Sequence, residues 1–378
     1  MENRLNKHIK TVKLSGIRSF SEHAKKAKPD CVFLTIGDPD FDTPEIIKRT
    51  AIESIQNNHT HYAPGNGLLS LREAIARHEN KRYGTDYTSD EVYITNGCTG
   101  ALAATFLTIL NAGDEVIIPT PAYTLYRPIV EMANGTVVNI DTSNDSFQIT
   151  EQALKSALSE NTKAILLTSP NNPTGAVYSK QTLDMIHDLL KDKPIFVIVD
   201  EVYNEIIFKE CPTFMSYQDM RDRIILLQSF SKPYAMTGWR IGYMIADKPI
   251  AAYLSKMNQF MVTGITTFVQ EAAIVALETD ASYMRESYHK RRDYTYQRLV
   301  DMGLDVVKPE GAFYMFPSIQ KFNIPSEIFC ERALMEQSVA VVAGVYFDAE
   351  GFVRVSYCTS EELLKEGLDR LEKFVKSL

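Results

Sequence analysis

Between about residues 92 and 246 the chain alternates short apolar runs with amphipathic stretches, and no other feature limits its fold so tightly. Seven runs read as strands: VYIT (92–95), EVIIP (115–119), TVVNI (136–140), AILLT (164–168), IFVIVD (195–200), IILLQ (224–228) and IGYMIA (241–246). Several are apolar throughout, as strands become when helices cover both faces of a largely parallel sheet. Helical candidates lie between them: ALAATFLTIL (101–110), TEQALKSAL (150–158) and KQTLDMIHDLL (180–190). The pattern predicts an α/β domain with a mostly parallel seven-stranded sheet and helices on both faces. After Asp280 the texture changes. A charged helical stretch from Ala281 to Met302 precedes strand-like LDVV (304–307), FYMF (313–316), VAVV (339–342) and FVRVSY (352–357). TSEE then signals a last helix from Thr359. This reads as a smaller α+β domain built from the two chain ends, 1–41 and 281–378, beside a large domain over 42–280.

Composition narrows the function. The net charge of −8 opposes a nucleic-acid partner, whose phosphates demand a basic face. The basic cluster from His289 to Arg292 reads as the solvated face of a helix. The opening MENRLNKHIKTVKLSG has no apolar core of a signal peptide. No window approaches the roughly 18 apolar residues of a membrane span. Five cysteines, odd in number, scattered and without a CxxC pair, suggest neither a disulfide framework nor a zinc site. A reduced, cytoplasmic protein without metal, membrane or nucleic acid is expected.

Four polar motifs follow the ends of predicted strands, where open α/β sheets bind ligands. After run 224–228 stands SFSKPYAMTGWRIG: Ser229 and Ser231 share a face, Lys232 follows, and Arg240 comes beyond a glycine turn. Hydroxyls and a guanidinium suit a phosphate, and the lysine amine suits a carbonyl held by it. Alone, each residue is as well explained as surface or loop. After 164–168 stands SPNNPTG, a rigid turn able to aim an Asn amide, or simply an Asx turn. Asp200, in DEVY, closes an apolar strand, where a carboxylate is costly unless paired; a helix N-cap is the other reading. TNGCTG (95–100), between strand 92–95 and helix 101–110, lets backbone N–H groups approach an anion. Together they offer phosphate anchors, a ring-nitrogen acid, an amide donor and an amine nucleophile, the set that pyridoxal phosphate requires.

The segments SPNNPTG, DEVY and SFSKPYAMTGWRIG resemble the class I, fold-type I aminotransferases, and the similarity runs from IGDPDFDTP (36–44) to VRVSYC (353–358). The resemblance implies that Lys232 holds pyridoxal 5'-phosphate as a Schiff base and shuttles a proton. It implies that Asp200 keeps the pyridine nitrogen protonated, while Asn172 and Tyr203 bond the phenolic oxygen. Tyr123 and Val202 would flank the ring. Ser229, Ser231, Arg240 and the backbone at Gly97, Cys98 and Thr99 would form the phosphate cup. Arg354, with Gly37 and Asn172, would bind the substrate α-carboxylate. Tyr62 would reach the phosphate of a neighbouring subunit, which implies a homodimer with shared sites.

Within the family, SGIRSFSEHA and IGDPDFDTP look closest to aromatic aminotransferases and to enzymes acting on N-acetyl-diaminopimelate. Arg18 reads either as a sensor of a side-chain carboxylate or as a surface arginine, and Phe313 and Tyr314 as pocket or core. The expected reaction is ping-pong transfer from an L-amino acid, aromatic or related, to a 2-oxo acid such as 2-oxoglutarate. A C–S β-lyase uses the same apparatus and is the alternative; the GWRIGY anchor favours transfer. A ligand-sensing regulator would need an added DNA-binding module, for which about 30 residues ahead of the similarity leave no room.

Overall fold

The computed structural model describes residues 16–378, with Met1, Arg4, Leu5, Ile9, Lys10 and Val12 before them. The signal-peptide reading, and part of segment 1–41, therefore fall outside the described residues. In chain order the main elements are α1 (Gly16–Ala27), β1 (Val32–Phe33), α2 (Glu45–Gln56), α3 (Leu69–Tyr83), β2 (Val92–Thr95) and α4 (Gly97–Ile109). Next come β3 (Glu115–Thr120), α5 (Tyr126–Met132), β4 (Thr136–Asp141), α6 (Glu151–Ala157), β5 (Thr162–Thr168) and α7 (Lys180–Leu190). They are followed by β6 (Phe196–Asp200), β7 (Ile224–Ser229), β8 (Gly242–Ala246), α8 (Lys248–Val262), α9 (Thr267–Glu278) and α10 (Ser282–Asp301). The C-terminal part holds β9 (Tyr314–Met315), α11 (Ser326–Gln337), β10 (Val339–Ala340), β11 (Val342–Ala343), β12 (Val353–Ser356) and α12 (Glu361–Lys376).

All seven apolar runs are strands of one sheet, ordered β2-β8-β7-β6-β5-β3-β4, in which β8 alone runs against its neighbours. Their continuous hydrophobicity has a direct cause. Successive side chains leave a strand on opposite faces, and here each face meets helices. Ile224 and Leu226 join the layer of α2, α3, α7 and α9, while Ile225 and Leu227 join that of α4, α5 and α8. Tyr243 and Ile245 against Met244 and Ala246 repeat the division on β8.

A second core surrounds two small sheets, β11-β12-β9 and β1-β10. β1 pairs in parallel with β10, Val32 opposite Val339, so the N-terminal segment is hydrogen-bonded to the C-terminal part. The final helix begins two residues after Thr359, capped by the Ser360 hydroxyl, which accepts from Leu363 N–H.

Three expectations are corrected. LDVV (304–307) is not a strand: only Asp305 bridges, to Ser318, because Lys308-Pro309-Glu310-Gly311 leads the chain away to meet the loop at Gly175. The helix expected at 101–110 starts at Gly97, so the glycine-rich turn is its own first turn. The cluster from His289 to Arg292 is not wholly solvated. Arg291 and Arg292 are buried, one paired with Asp40 at 2.7 Å and the other donating to the Pro309 carbonyl.

Candidate active site

Because β2 and β7 both run against β8, the C-terminal ends of β2, β5, β6 and β7 share one edge. That edge collects Thr95, Thr168, Asp200 and Ser229, with the loops that follow each. The small sheet adds Arg354 from β12. The guanidinium is buried, donating from Nη1 to Asn172 Oδ1 at 2.9 Å and from Nη2 to the Thr35 carbonyl at 2.7 Å. Its carbon lies 4.5 Å over the Tyr314 ring and 5.0 Å over Phe347. Nε has no partner. A buried, incompletely satisfied guanidinium is ready to accept a carboxylate.

Asn172 is available because its neighbour makes the turn. Asn171 Oδ1 accepts from the backbone and hydroxyl of Thr174, and Gly175 O receives the N–H groups of Glu310 and Gly311. Lys232 Nζ donates to Gly37 O at 2.6 Å and stands 5.9 Å from the Phe313 ring. Burial pulls its ammonium below the ordinary lysine range, and the Arg354 and Arg240 charges add to this. A β-carbon on Gly37 would collide with the Tyr314 hydroxyl. Tyr314 in turn shares a 3.0 Å hydrogen bond with Tyr203, which meets Phe313 edge-on. Phe313 and Tyr314 are thus buried core residues whose rings also lie beside Lys232 and Arg354 respectively.

Asp200 is buried, and no helix follows it, so it is not an N-cap. Oδ2 accepts from the Tyr126 hydroxyl at 2.9 Å and the Cys98 thiol at 3.6 Å; Oδ1 accepts from Val202 N–H at 3.3 Å. Among the described residues no cation lies within ion-pair distance of it. Burial raises its pKa to about 6 against these donors.

At the other end, Gly97 has φ 64°, and a β-carbon there would press on Arg240 Nη2 at 2.7 Å. The missing side chain lets the guanidinium approach the start of α4, where free N–H groups favour an anion. Arg240 also donates to the Thr237 carbonyl. Ser229 and Ser231 are joined by a 2.8 Å hydroxyl bond. An anion cradle, a buried carboxyl lacking a cation and a nearby amine fit a ligand with a phosphate, a basic ring nitrogen and an aldehyde.

Cys98, Tyr123 and Val202 lie partly buried beside this set, whereas Thr99 is exposed. Tyr62 is not brought to it: the side chain is 90% exposed. Arg18 is exposed on α1, within electrostatic reach of the Tyr123 hydroxyl. Sequence reasoning missed Tyr126, Thr168 and Thr35. Tyr126 had a signal only in its spacing, three residues after Tyr123; the helix that it opens is seen in the structure and was not expected from the sequence. Thr35 contributes only its carbonyl, which no residue type announces.

Comparison with known proteins agrees with this geometry. The family described as Aminotransferase class I and II matches residues 29–371. A probable N-acetyl-LL-diaminopimelate aminotransferase of Bacillus subtilis is 42% identical, covering 99% of this chain and 96% of its own. Aromatic-amino-acid aminotransferase 2 of Thermococcus litoralis is 36% identical over 98% of each. The crystal structure of aspartate aminotransferase from Thermotoga maritima superposes with a TM-score of 0.95 at 37% identity, covering 98% of this chain and all of the other.

Proposed function

The chain belongs to the class I and II aminotransferase family, and we propose that it moves an amino group from an L-amino acid, aromatic or related, to a 2-oxo acid such as 2-oxoglutarate in a ping-pong cycle. Pyridoxal 5'-phosphate, the cofactor on which this family depends, supplies when bound an aldehyde for the amino group and a protonated ring that accepts the electrons of a broken bond. The residues divide the remaining work. Ser229, Ser231, Arg240 and the N–H groups at Gly97, Cys98 and Thr99 hold the phosphate. Asp200 holds the ring nitrogen, Asn172 and Tyr203 the phenolic oxygen, and Tyr123 and Val202 the two ring faces. Arg354, with Asn172 and Gly37, takes the α-carboxylate. That grip turns the Cα–H bond rather than the carboxylate toward Lys232. Lys232 Nζ removes the α-proton and returns it; the burial that lowers its proton affinity favours the neutral amine that a base requires.

The observation that carries this reading is the meeting of Lys232 and Arg354. They converge on one stretch of chain: Lys232 donates to Gly37 O, and Arg354, whose Nε is unpartnered, donates to Asn172 Oδ1 and to Thr35 O two residues before Gly37. The free state of the cysteines and the absence, among the described residues, of a helix long and apolar enough to cross a membrane support a cytoplasmic enzyme. The homodimer with shared sites rests on Tyr62, a tyrosine of the phosphate set that lies exposed on its own chain.

The test is a panel of amino donors against 2-oxoglutarate, including Tyr, Phe, Trp, Asp and N-acetyl-LL-diaminopimelate, with glutamate as the measured product. Pyruvate and ammonia from cystathionine without any oxo acid, and no glutamate from any donor, would overturn transfer in favour of elimination. Lys232→Ala should lose transamination by at least about 10⁴-fold, in the range seen for removal of a covalent catalyst. It should also lose the cofactor fixed by borohydride while keeping its circular dichroism; a fixed cofactor in that variant rejects the lysine.

A further inference from the structure

Asp200 carries an imbalance that its own bonds reveal. Each donor on it is neutral: the Tyr126 hydroxyl and the Cys98 thiol on Oδ2, and one long backbone N–H on Oδ1. A carboxylate oxygen accepts about two hydrogen bonds, so Oδ2 is filled and Oδ1 has capacity left. The direction of the Tyr126 proton is also fixed. Thr168 Oγ1 donates to the Tyr126 oxygen at 2.9 Å, so the single phenolic proton is left to point at Asp200. Thr168 and Asp200 are register partners on β5 and β6, and Tyr126 opens α5 with its ring edge-on to Tyr123 at 5.5 Å. Burial holds the Tyr126 and Cys98 protons well above neutrality, so both groups remain donors.

We propose that Tyr126, aimed by Thr168, is the positioning residue for Asp200: by occupying Oδ2 it fixes the carboxylate and presents Oδ1 to the cofactor's ring nitrogen. This rests on the reading of Asp200 given above. The effect is more than orientation. A hydroxyl donating to the carboxylate lowers its proton affinity, so the shared proton stays on the ring nitrogen and does not pass to Asp200. Without that donor the carboxylate becomes more basic, the ring loses positive charge, and it accepts electrons less readily. Cys98 provides the weaker second donor from the same helical turn that faces the phosphate, tying the two ends of the cofactor to one stretch of chain.

The experiment compares Tyr126→Phe, Thr168→Val, Thr168→Ser and Asp200→Asn as holoenzymes with the unsubstituted protein. Readouts are the absorbance of the bound cofactor against pH, its dissociation constant, and kcat and KM for one amino donor. Tyr126→Phe should shift the absorbance titration by about one pH unit and lower kcat about tenfold, the size of one hydrogen bond to a charged group. KM should stay within about twofold, because Arg354 is untouched. Thr168→Val should move the titration in the same direction by less, and Thr168→Ser should restore it. A stable Tyr126→Phe enzyme that titrates and binds cofactor like the unsubstituted protein overturns the proposal; should that variant not fold, Thr168→Val against Thr168→Ser decides on the same criterion. Impaired Asp200→Asn beside unchanged Tyr126→Phe and Thr168→Val overturns positioning alone, whereas unchanged Asp200→Asn overturns the Asp200 reading with it.

Discussion

Asp200, whose proposed role requires it ionised, sits where burial raises its pKa to about 6 from an ordinary 3.8. In cofactor-free protein the folded state therefore holds a proton that the unfolded chain releases earlier. Stability falls as pH rises from about 4 to about 6 and is then flat, by a few kcal/mol at most (about two pKa units). Asp200→Asn removes the charge. It should raise the melting temperature of cofactor-free protein at pH 7, by a margin that shrinks as the pH drops below 6, while activity falls at least about 10²-fold. A margin independent of pH rejects the burial argument. Arg354→Lys tests the other end of the site. A lysine keeps the charge but not the two-pronged donor, so kcat/KM should fall roughly 10²-fold with KM carrying much of the loss; steady-state kinetics over substrate concentration decides. Residues of both kinds were legible because their types are restrictive at strand ends. Thr35 was not, since backbone carbonyls leave no trace in composition.

Elements were read most accurately where both faces are buried. All seven strands of the main sheet lie where the apolar runs fall; in the inner strands β5 to β8 two helical layers demand apolar residues at nearly every position, whereas the edge strand β4 keeps Thr136, Asn139 and Asp141 exposed. Their order, and the reversal of β8, left no mark, since pairing is decided by the path of the chain between strands. LDVV failed as a strand for a related reason: Leu304 and Val306 pack on the second core without a partner strand, and Val307 stays exposed. The start of α4 was misjudged because glycines read as a turn, although at Gly97 the left-handed φ serves a helix entry beside Arg240. That entry is a property of the element. Gly97→Ala adds a β-carbon against the guanidinium at an unfavourable φ and should weaken cofactor affinity about 10- to 100-fold, with helical content preserved. Equilibrium dialysis beside circular dichroism measures both; tight binding in this variant removes Gly97 from the phosphate cup.

Among the exposed large apolar side chains of the molecule, two adjoining segments hold the most uncovered aromatics. Tyr62 and Phe260 are 90% and 83% exposed. They belong to segments that touch each other, for Thr267 donates to the His61 carbonyl and Gly65 lies against Gln259. Beside them a groove of about 1010 Å³ runs past Val262, Ile265 and Phe268 to Asn96 and Arg240. Single exposed aromatics are ordinary, but an apolar set bordering the cradle suits the proposed second copy of the chain. Phe260→Asp should shift the sedimenting species toward monomer, and Tyr62→Phe should weaken cofactor binding about tenfold without dissociating it, as loss of one hydroxyl-to-phosphate bond requires. A monomeric unsubstituted enzyme with full activity ends the shared-site reading. The division into a large domain over 42–280 and a small one from 1–41 and 281–378 stays a proposal, and Arg354 bears on it. One guanidinium grips the Thr35 carbonyl, the Asn172 amide and, through its own backbone, the strand that carries it. Any carboxylate that claims a share of that grip would compete for a side chain that ties together three separate stretches of polypeptide.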